Sequence, residues 1–122
     1  MNDKARDPRA MLGVRGEDLA CVHLRALGFE VIGRNVRVGR LELDVIARSG
    51  RLVVFCEVRS RTSDRLMTPA QSIDAKKVAR VRAAAAQWLR EAKLGPVQMR
   101  FDVASVMFDT PEGRLNYLIG AF

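Results

Sequence analysis

The sequence has little of what most metal and nucleophile centres are built from. It contains one histidine and two cysteines in 122 residues. His23 has no Cys or His at metal-ligand spacing, so it reads as a structural or surface residue, and zinc-finger arrangements are excluded. Cys21 and Cys56 lie far apart inside apolar patterns. They read as free core thiols of a reducing cytoplasm, not as a disulfide framework or a zinc site. No stretch approaches the ~20 apolar residues of a membrane span. The opening MNDKARDPRAML has no apolar signal core, so export is not expected and a cytoplasmic location is. A phosphate-binding glycine loop, a nucleophile elbow and a convincing Ser/His pair are all missing. So are internal repeats and low-complexity segments.

Positive charge is what the chain has in excess. Lys and Arg number 21 against 14 Asp and Glu, a net charge of +7. An excess of that size suggests a polyanionic partner: DNA, RNA or an anionic membrane surface. The plainer alternative is a soluble protein that happens to be basic. With 48% hydrophobic residues, the length suits one compact domain and is too short for two. Residues 1–8 read as a disordered N-terminus and 9–122 as that single domain.

The spacing predicts a helix from Arg9 to Leu27, with Leu12, Gly16, Ala20, Leu24 and Leu27 on one face and a stop at Gly28. Gly16 on the buried face would let another backbone approach closely. Phe29, Val31 and Val36 mark a first strand. LELDVIA (41–47) is a second, with Leu41, Leu43, Val45 and Ala47 alternating with Glu42, Asp44 and Ile46. Ser49-Gly50 is a turn signal. Leu52 to Val58 is apolar almost throughout, as expected of a central strand covered on both faces. TSDRLMTP is a polar loop. A second helix opens at the N-cap Asp74 and runs to about Glu91, with Val78, Val81, Ala85, Trp88 and Leu89 as its stripe. VQMRFDVASVMF and LNYLIGAF complete the order α-β-β-β-α-β-β. The fold class is α/β, a mixed sheet flanked by helices.

Three acids interrupt these apolar strands: Glu42, Asp44 and Glu57. If strands two and three form a hairpin about Ser49-Gly50, Asp44 and Glu57 are roughly equidistant from the turn and could meet across the pair. Two carboxylates side by side repel, and burying them unpaired costs several kcal/mol each. A divalent cation removes that cost. Mg²⁺ is typically held by one or two carboxylates plus water and a substrate phosphate, and acts as a Lewis acid. Asp…Glu-x-basic on adjacent strands of a basic protein thus points to metal-assisted phosphodiester cleavage. The competing reading pairs the acids with Arg40, Arg59 and Arg61, and spacing alone leaves both open. The helix KKVARVRAAAAQWLR is basic and amphipathic. It reads as a core helix with a solvated basic face, or as a DNA-phosphate contact, before it reads as a membrane element. Trp88 reads as a core anchor rather than a base-stacking platform.

Several motifs in order carry a resemblance: GEDLACVHL (16–24), RNVRV (34–38), LELDVIA (41–47), VVFCEVRSR (53–61), RFDV (100–103) and the closing AF. Together, over about Leu12 to Phe122, the chain resembles the YraN-type family of small bacterial proteins. That family is similar to archaeal Holliday-junction resolvases and belongs by fold with the PD-(D/E)xK nucleases, so the resemblance implies a restriction-endonuclease-like core. It implies that Asp44 and Glu57 hold Mg²⁺ or Mn²⁺, with the backbone carbonyl of Val58 also available. Glu17 would join the site directly or through water, and Glu42 is a weaker candidate. Lys77 would face phosphate, with Lys76, Arg80 and Arg61 as further nucleic-acid contacts. A lysine in a helix's first turn opposes the helix dipole, which favours such a role. The sequence departs from the family pattern at Leu41, where glycine is usual, and at Arg59, where the nuclease motif has lysine. Arginine keeps the charge but is planar and always protonated, so it is no base near neutral pH.

The resemblance therefore implies an endonuclease-like protein acting on structured or branched DNA in repair or recombination, as a two-fold homodimer and without a membrane partner. Two alternatives stand beside it: a nucleic-acid-binding module with a degenerate site, motivated by Arg59, and a protein-interaction adaptor that is basic by accident.

Overall fold

The structure, a computed structural model, describes residues 8–62 and 74–122. Residues 1–7 of the expected disordered N-terminus and nearly all of the expected loop TSDRLMTP lie outside the described residues. The elements run in the expected order: helix α1 (Pro8–Ala26), strands β1 (Glu30–Val38), β2 (Leu41–Ser49) and β3 (Leu52–Arg61), helix α2 (Ala75–Ala92), and strands β4 (Gln98–Met107) and β5 (Arg114–Leu118). The five strands form one sheet in the order β1-β2-β3-β4-β5. All neighbours are antiparallel except β3 and β4, which are parallel and joined through α2. This mixed sheet flanked by helices is the arrangement of a restriction-endonuclease-like core.

The helix ends follow from local chemistry. After α1, Phe29 N–H reaches Leu24 O and Gly28 N–H reaches Arg25 O, with Gly28 at φ +92°. That pair of bonds satisfies the last carbonyls of the helix and needs the left-handed turn that glycine takes without cost. Leu27 lies past the helix end and is exposed, so it is not part of the buried face expected of it. At α2, the Asp74 side chain accepts from Lys77 N–H at 2.8 Å, the expected N-cap. The helix closes on Lys93 in the left-handed region, whose N–H returns to Leu89 O.

Each face of the sheet is covered by one helix, which explains why β3 is apolar on both sides. On one face Ala20, Cys21 and Leu24 of α1 pack on Val45, Ala47, Val54, Cys56 and Ala104. On the other, Val81, Ala84 and Ala85 of α2 pack on Ile46, Val53, Phe55 and Phe101. Trp88 meets Phe55 edge-on at 6.1 Å, a core contact as expected. Both cysteines are buried and free, and burial raises the thiol pKa of each. His23 lies 4.5 Å from the Tyr117 ring, a structural contact.

The expected alternation along LELDVIA fails at one residue. Leu43 joins the α2 side, yet Val45, two residues on, joins the α1 side. Strict alternation would put both on one face. The break falls at Asp44. Opposite it on β1 is Asn35, at φ +51°, and the β1–β2 ladder passes from Arg34↔Val45 to Val36↔Leu43 without pairing them.

A second acid in the sheet is fully satisfied. Asp102 on β4 is 0% exposed. Its carboxylate accepts from Arg100 at 2.8 Å, the Tyr117 hydroxyl at 2.6 Å and Gly120 N–H at 2.9 Å. RFDV thereby ties β4 to β5 and to the closing residues. Burial, first, holds the Tyr117 hydroxyl well above its usual pKa. Removing one partner of a buried ion pair typically costs ~3–5 kcal/mol, because the other groups stay buried without it. Asp102→Ala is expected to lose stability in that range in urea unfolding, and Asp102→Asn less. A loss under about 1 kcal/mol in Asp102→Ala would show the cluster is not a brace.

Candidate active site

The centre of interest is a fork in the sheet. The β2–β3 ladder runs from Ser49↔Leu52 to Val45↔Cys56 and stops there. Beyond that point β2 stays with β1 as far as Leu41↔Val38, and β3 stays with β4 as far as Arg61↔Met107. The next pair would be Asp44 and Glu57, and their side chains fill the opening. Val58 N–H donates to Asp44 Oδ2 at 2.9 Å, and Asp44 N–H donates to Glu57 Oε2 at 3.4 Å. Each carboxylate takes the place of a carbonyl in the interrupted ladder. Buried backbone donors must find acceptors, and here carboxylates supply them.

Charge accumulates in the fork. Glu57 is 3% exposed. Burial, then the charge of Glu57, pushes the Asp44 carboxyl up to about 7. Burial likewise raises Glu57, opposed by Lys77 and Arg59. Lys77 Nζ lies 3.6 Å from Glu57 Oε1. So α2 starts with its main chain capped by Asp74 and its first-turn ammonium turned to the acid pair. The expected pairing of these acids with arginine is realised in part: Arg59 acts on Glu57 by its charge, while Lys77 makes the contact.

Glu17 comes from α1. A Cβ on Gly16 would sit 1.9 Å from Ser60 Oγ, so only glycine lets α1 lie this close to β3. The next residue, Glu17, then reaches the sheet. Its Oε1 accepts from Asn35 Nδ2 at 3.0 Å and from Arg34 Nη2 at 3.3 Å, and its charge is among those raising Asp44. Arg34 also donates to Asp18 at 2.9 Å. Glu42 lies opposite Arg37 in the β1–β2 register. Lys76 and Arg80 are exposed on α2, and Arg61 is half-buried at the end of β3. The Val58 group engaged with Asp44 is its amide.

Arg34 and Asn35 were read from sequence only as part of a strand. The available signal was an asparagine inside an apolar strand, the non-glycine type that most readily takes positive φ.

Among the described residues, no three His, Cys, Asp or Glu side chains converge as a metal-binding group. The acid pair stands alone. Two partly desolvated carboxylates fit a hard cation such as Mg²⁺ or Mn²⁺, which takes few protein ligands and completes its shell from water and phosphate. They do not fit a closed zinc centre.

The model of the Uncharacterised protein family UPF0102 matches residues 16–106. A UPF0102 protein of Sorangium cellulosum is 47% identical over 107 residues, 85% of this chain and 74% of its own. One from Frankia casuarinae is 40% identical over 112 residues, 91% of this chain and 95% of its own. One from Geobacter sulfurreducens is 35% identical over 113 residues, 92% and 88% respectively. The names of these relatives give the family and no activity.

The raised Asp44 pKa has a consequence for stability. The folded chain holds this proton more tightly than the unfolded chain does, so the contribution is present below pH ~4 and is lost as pH rises towards ~7. Asp44→Asn keeps an acceptor for Val58 N–H and has no charge to bury. In EDTA at pH 8 it is expected to melt about 5 °C above the natural chain, the difference closing towards pH 4. Melting curves with a difference that does not change with pH would contradict this assignment.

Proposed function

Because the chain belongs to the Uncharacterised protein family UPF0102, and because its sheet opens on a partly desolvated acid pair, we propose that it is a divalent-metal-dependent endonuclease acting on structured or branched DNA. The observation that carries this reading is the fork. Asp44 and Glu57 occupy an interrupted ladder, at a cost in desolvation, beside Lys77 and Arg59, in a chain of net charge +7. A partly desolvated carboxylate pair costs stability, and such arrangements gather at functional sites.

In this reading Asp44 and Glu57 hold Mg²⁺ or Mn²⁺, with the Val58 carbonyl as a further oxygen donor. The cation supplies Lewis acidity towards the scissile phosphate. The chain's own groups do the rest. Lys77 and Arg59 place positive charge where negative charge grows in the transition state. Arg59 is fixed in that electrostatic part, since guanidinium stays protonated. Glu17, held by Asn35 and Arg34, is the neighbouring acceptor that orients a water. Lys76, Arg80 and Arg61 contact phosphates around the centre. We place the protein in the cytoplasm, in repair or recombination, as a two-fold dimer on a two-fold substrate. Among the described residues no helix is long and apolar enough to cross a membrane.

Arg59 motivates a second reading, a nucleic-acid-binding module whose site no longer cuts. The two separate on a panel of labelled DNAs: four-way junction, flap, single strand and plain duplex, each with Mg²⁺ and with Mn²⁺. The natural chain is expected to cut a branched substrate, and Asp44→Ala to fall by at least about 100-fold. Arg59→Lys is expected to raise the rate. Cutting that persists undiminished in Asp44→Ala would remove the fork from the chemistry. Salt-sensitive binding without cutting, by both the natural chain and Arg59→Lys, would favour the module.

A further inference from the structure

A groove of about 560 Å³ runs between α2 and the β1–β2 turn, lined by Arg40, Arg80 and Gln87 and by four apolar side chains. Both of its walls lead back to the acid pair. Arg40, in the β1–β2 turn, is four residues before Asp44. Arg80 is one helical turn after Lys77, whose ammonium sits on Glu57. Arg40 and Arg80 are exposed, and neither makes an ion pair or side-chain hydrogen bond among the described residues. Between the two guanidinium groups the floor is apolar and low: Val38, Leu41, Ala83 and Ala84.

From this we infer that the groove holds the backbone of the nucleic-acid strand that lies in the acid centre, with Arg40 and Arg80 as its phosphate contacts. The inference rests on the nuclease-like reading above and adds to it a track and a direction. A guanidinium on each side of a channel matches a strand with a charge at every step, and its planar fork suits phosphate oxygens. The small side chains on the floor leave room for sugar faces, and Gln87, whose amide nitrogen also donates to Glu91 at 3.3 Å, adds a polar group at the far end. From Lys77 to Gln87 the helix spans about 15 Å, close to four steps of a strand at ~3.4 Å rise. Leu41, which stands where the family usually has glycine, belongs to this floor.

The test is DNA binding with Ca²⁺ in place of Mg²⁺, on a fluorescein-labelled flap substrate, titrated at several salt concentrations. Arg40→Ala/Arg80→Ala is compared with Arg25→Ala/Arg51→Ala, which removes the same charge from exposed positions elsewhere. Mn²⁺ affinity of each protein is measured alongside. The groove variant is expected to bind about tenfold more weakly and to lose close to two units of the log–log salt slope, with Mn²⁺ affinity unchanged. The control pair is expected to keep most of the slope. Equal losses in both variants, or an unchanged slope in the groove variant, would overturn the track while leaving the nuclease reading intact. A natural chain with no salt-dependent DNA binding would sink both. Arginine-dependent binding of poly-glutamate without DNA binding would replace the strand by an acidic protein partner.

Discussion

The structure turns on two hydrogen bonds that are not ladder bonds. Where β2 and β3 part, Val58 N–H goes to Asp44 Oδ2 and Asp44 N–H to Glu57 Oε2. A sheet that opens must find acceptors for the amides it releases. Here they are acids, so satisfying the backbone forces two carboxylates into one partly desolvated opening. The consequences follow in order. Desolvation raises both carboxyl pKa values, Lys77 is drawn in from the start of α2, and the centre suits a hard divalent cation.

The opening is prepared on its other side as well. Asn35 takes a positive φ opposite Asp44, which removes that pair from the β1–β2 ladder and lets β2 change faces between Leu43 and Val45. A non-glycine residue in the left-handed region costs of order 1 kcal/mol, and such strain gathers at functional sites. The same Asn35 side chain holds Glu17. One irregular residue thus frees Asp44 from regular pairing and positions the acid that α1 brings in over Gly16. Local strain and site geometry are one feature seen from two elements.

Much of this was legible because it is local. Asp74 signalled its cap, Gly28 its stop, and the unbroken apolar run of β3 its place between two helices. The roughly equal distances of Asp44 and Glu57 from the turn signal Ser49-Gly50 suggested their meeting, and the register, centred one residue later on Gly50-Arg51, puts them opposite each other. What escaped was non-local or irregular. The only signal of a positive φ at Asn35 was its residue type, and nothing near Arg34 announces Glu17, 17 residues away. The partners of Asp102 come from β5 and the residues beyond it, so RFDV was legible as a family-like motif and not as a brace. Leu27 failed for a simpler reason: the periodic pattern continued one residue past the turn that ends the helix.

Two aspartates of this sheet, Asp102 buried and Asp44 half-buried, make the argument for function by contrast. Asp102 has a guanidinium, a hydroxyl and an amide, so its charge is matched and its carboxylate has no need of a further ligand. Asp44 has one amide, two acidic neighbours and only the more distant charge of Lys77 in its favour, so burial and repulsion prevail. Both sit among the same apolar strands, yet only one is arranged as a brace. A sheet able to solve the problem at Asp102 did not solve it at Asp44, although the chain carries seven more basic than acidic side chains. The positive charge lies instead around the fork, on Lys77 and Arg59, and beyond it along α2. That distribution suits a centre whose deficit is made up by what binds there: a cation between the acids and a polyanion across the basic rim.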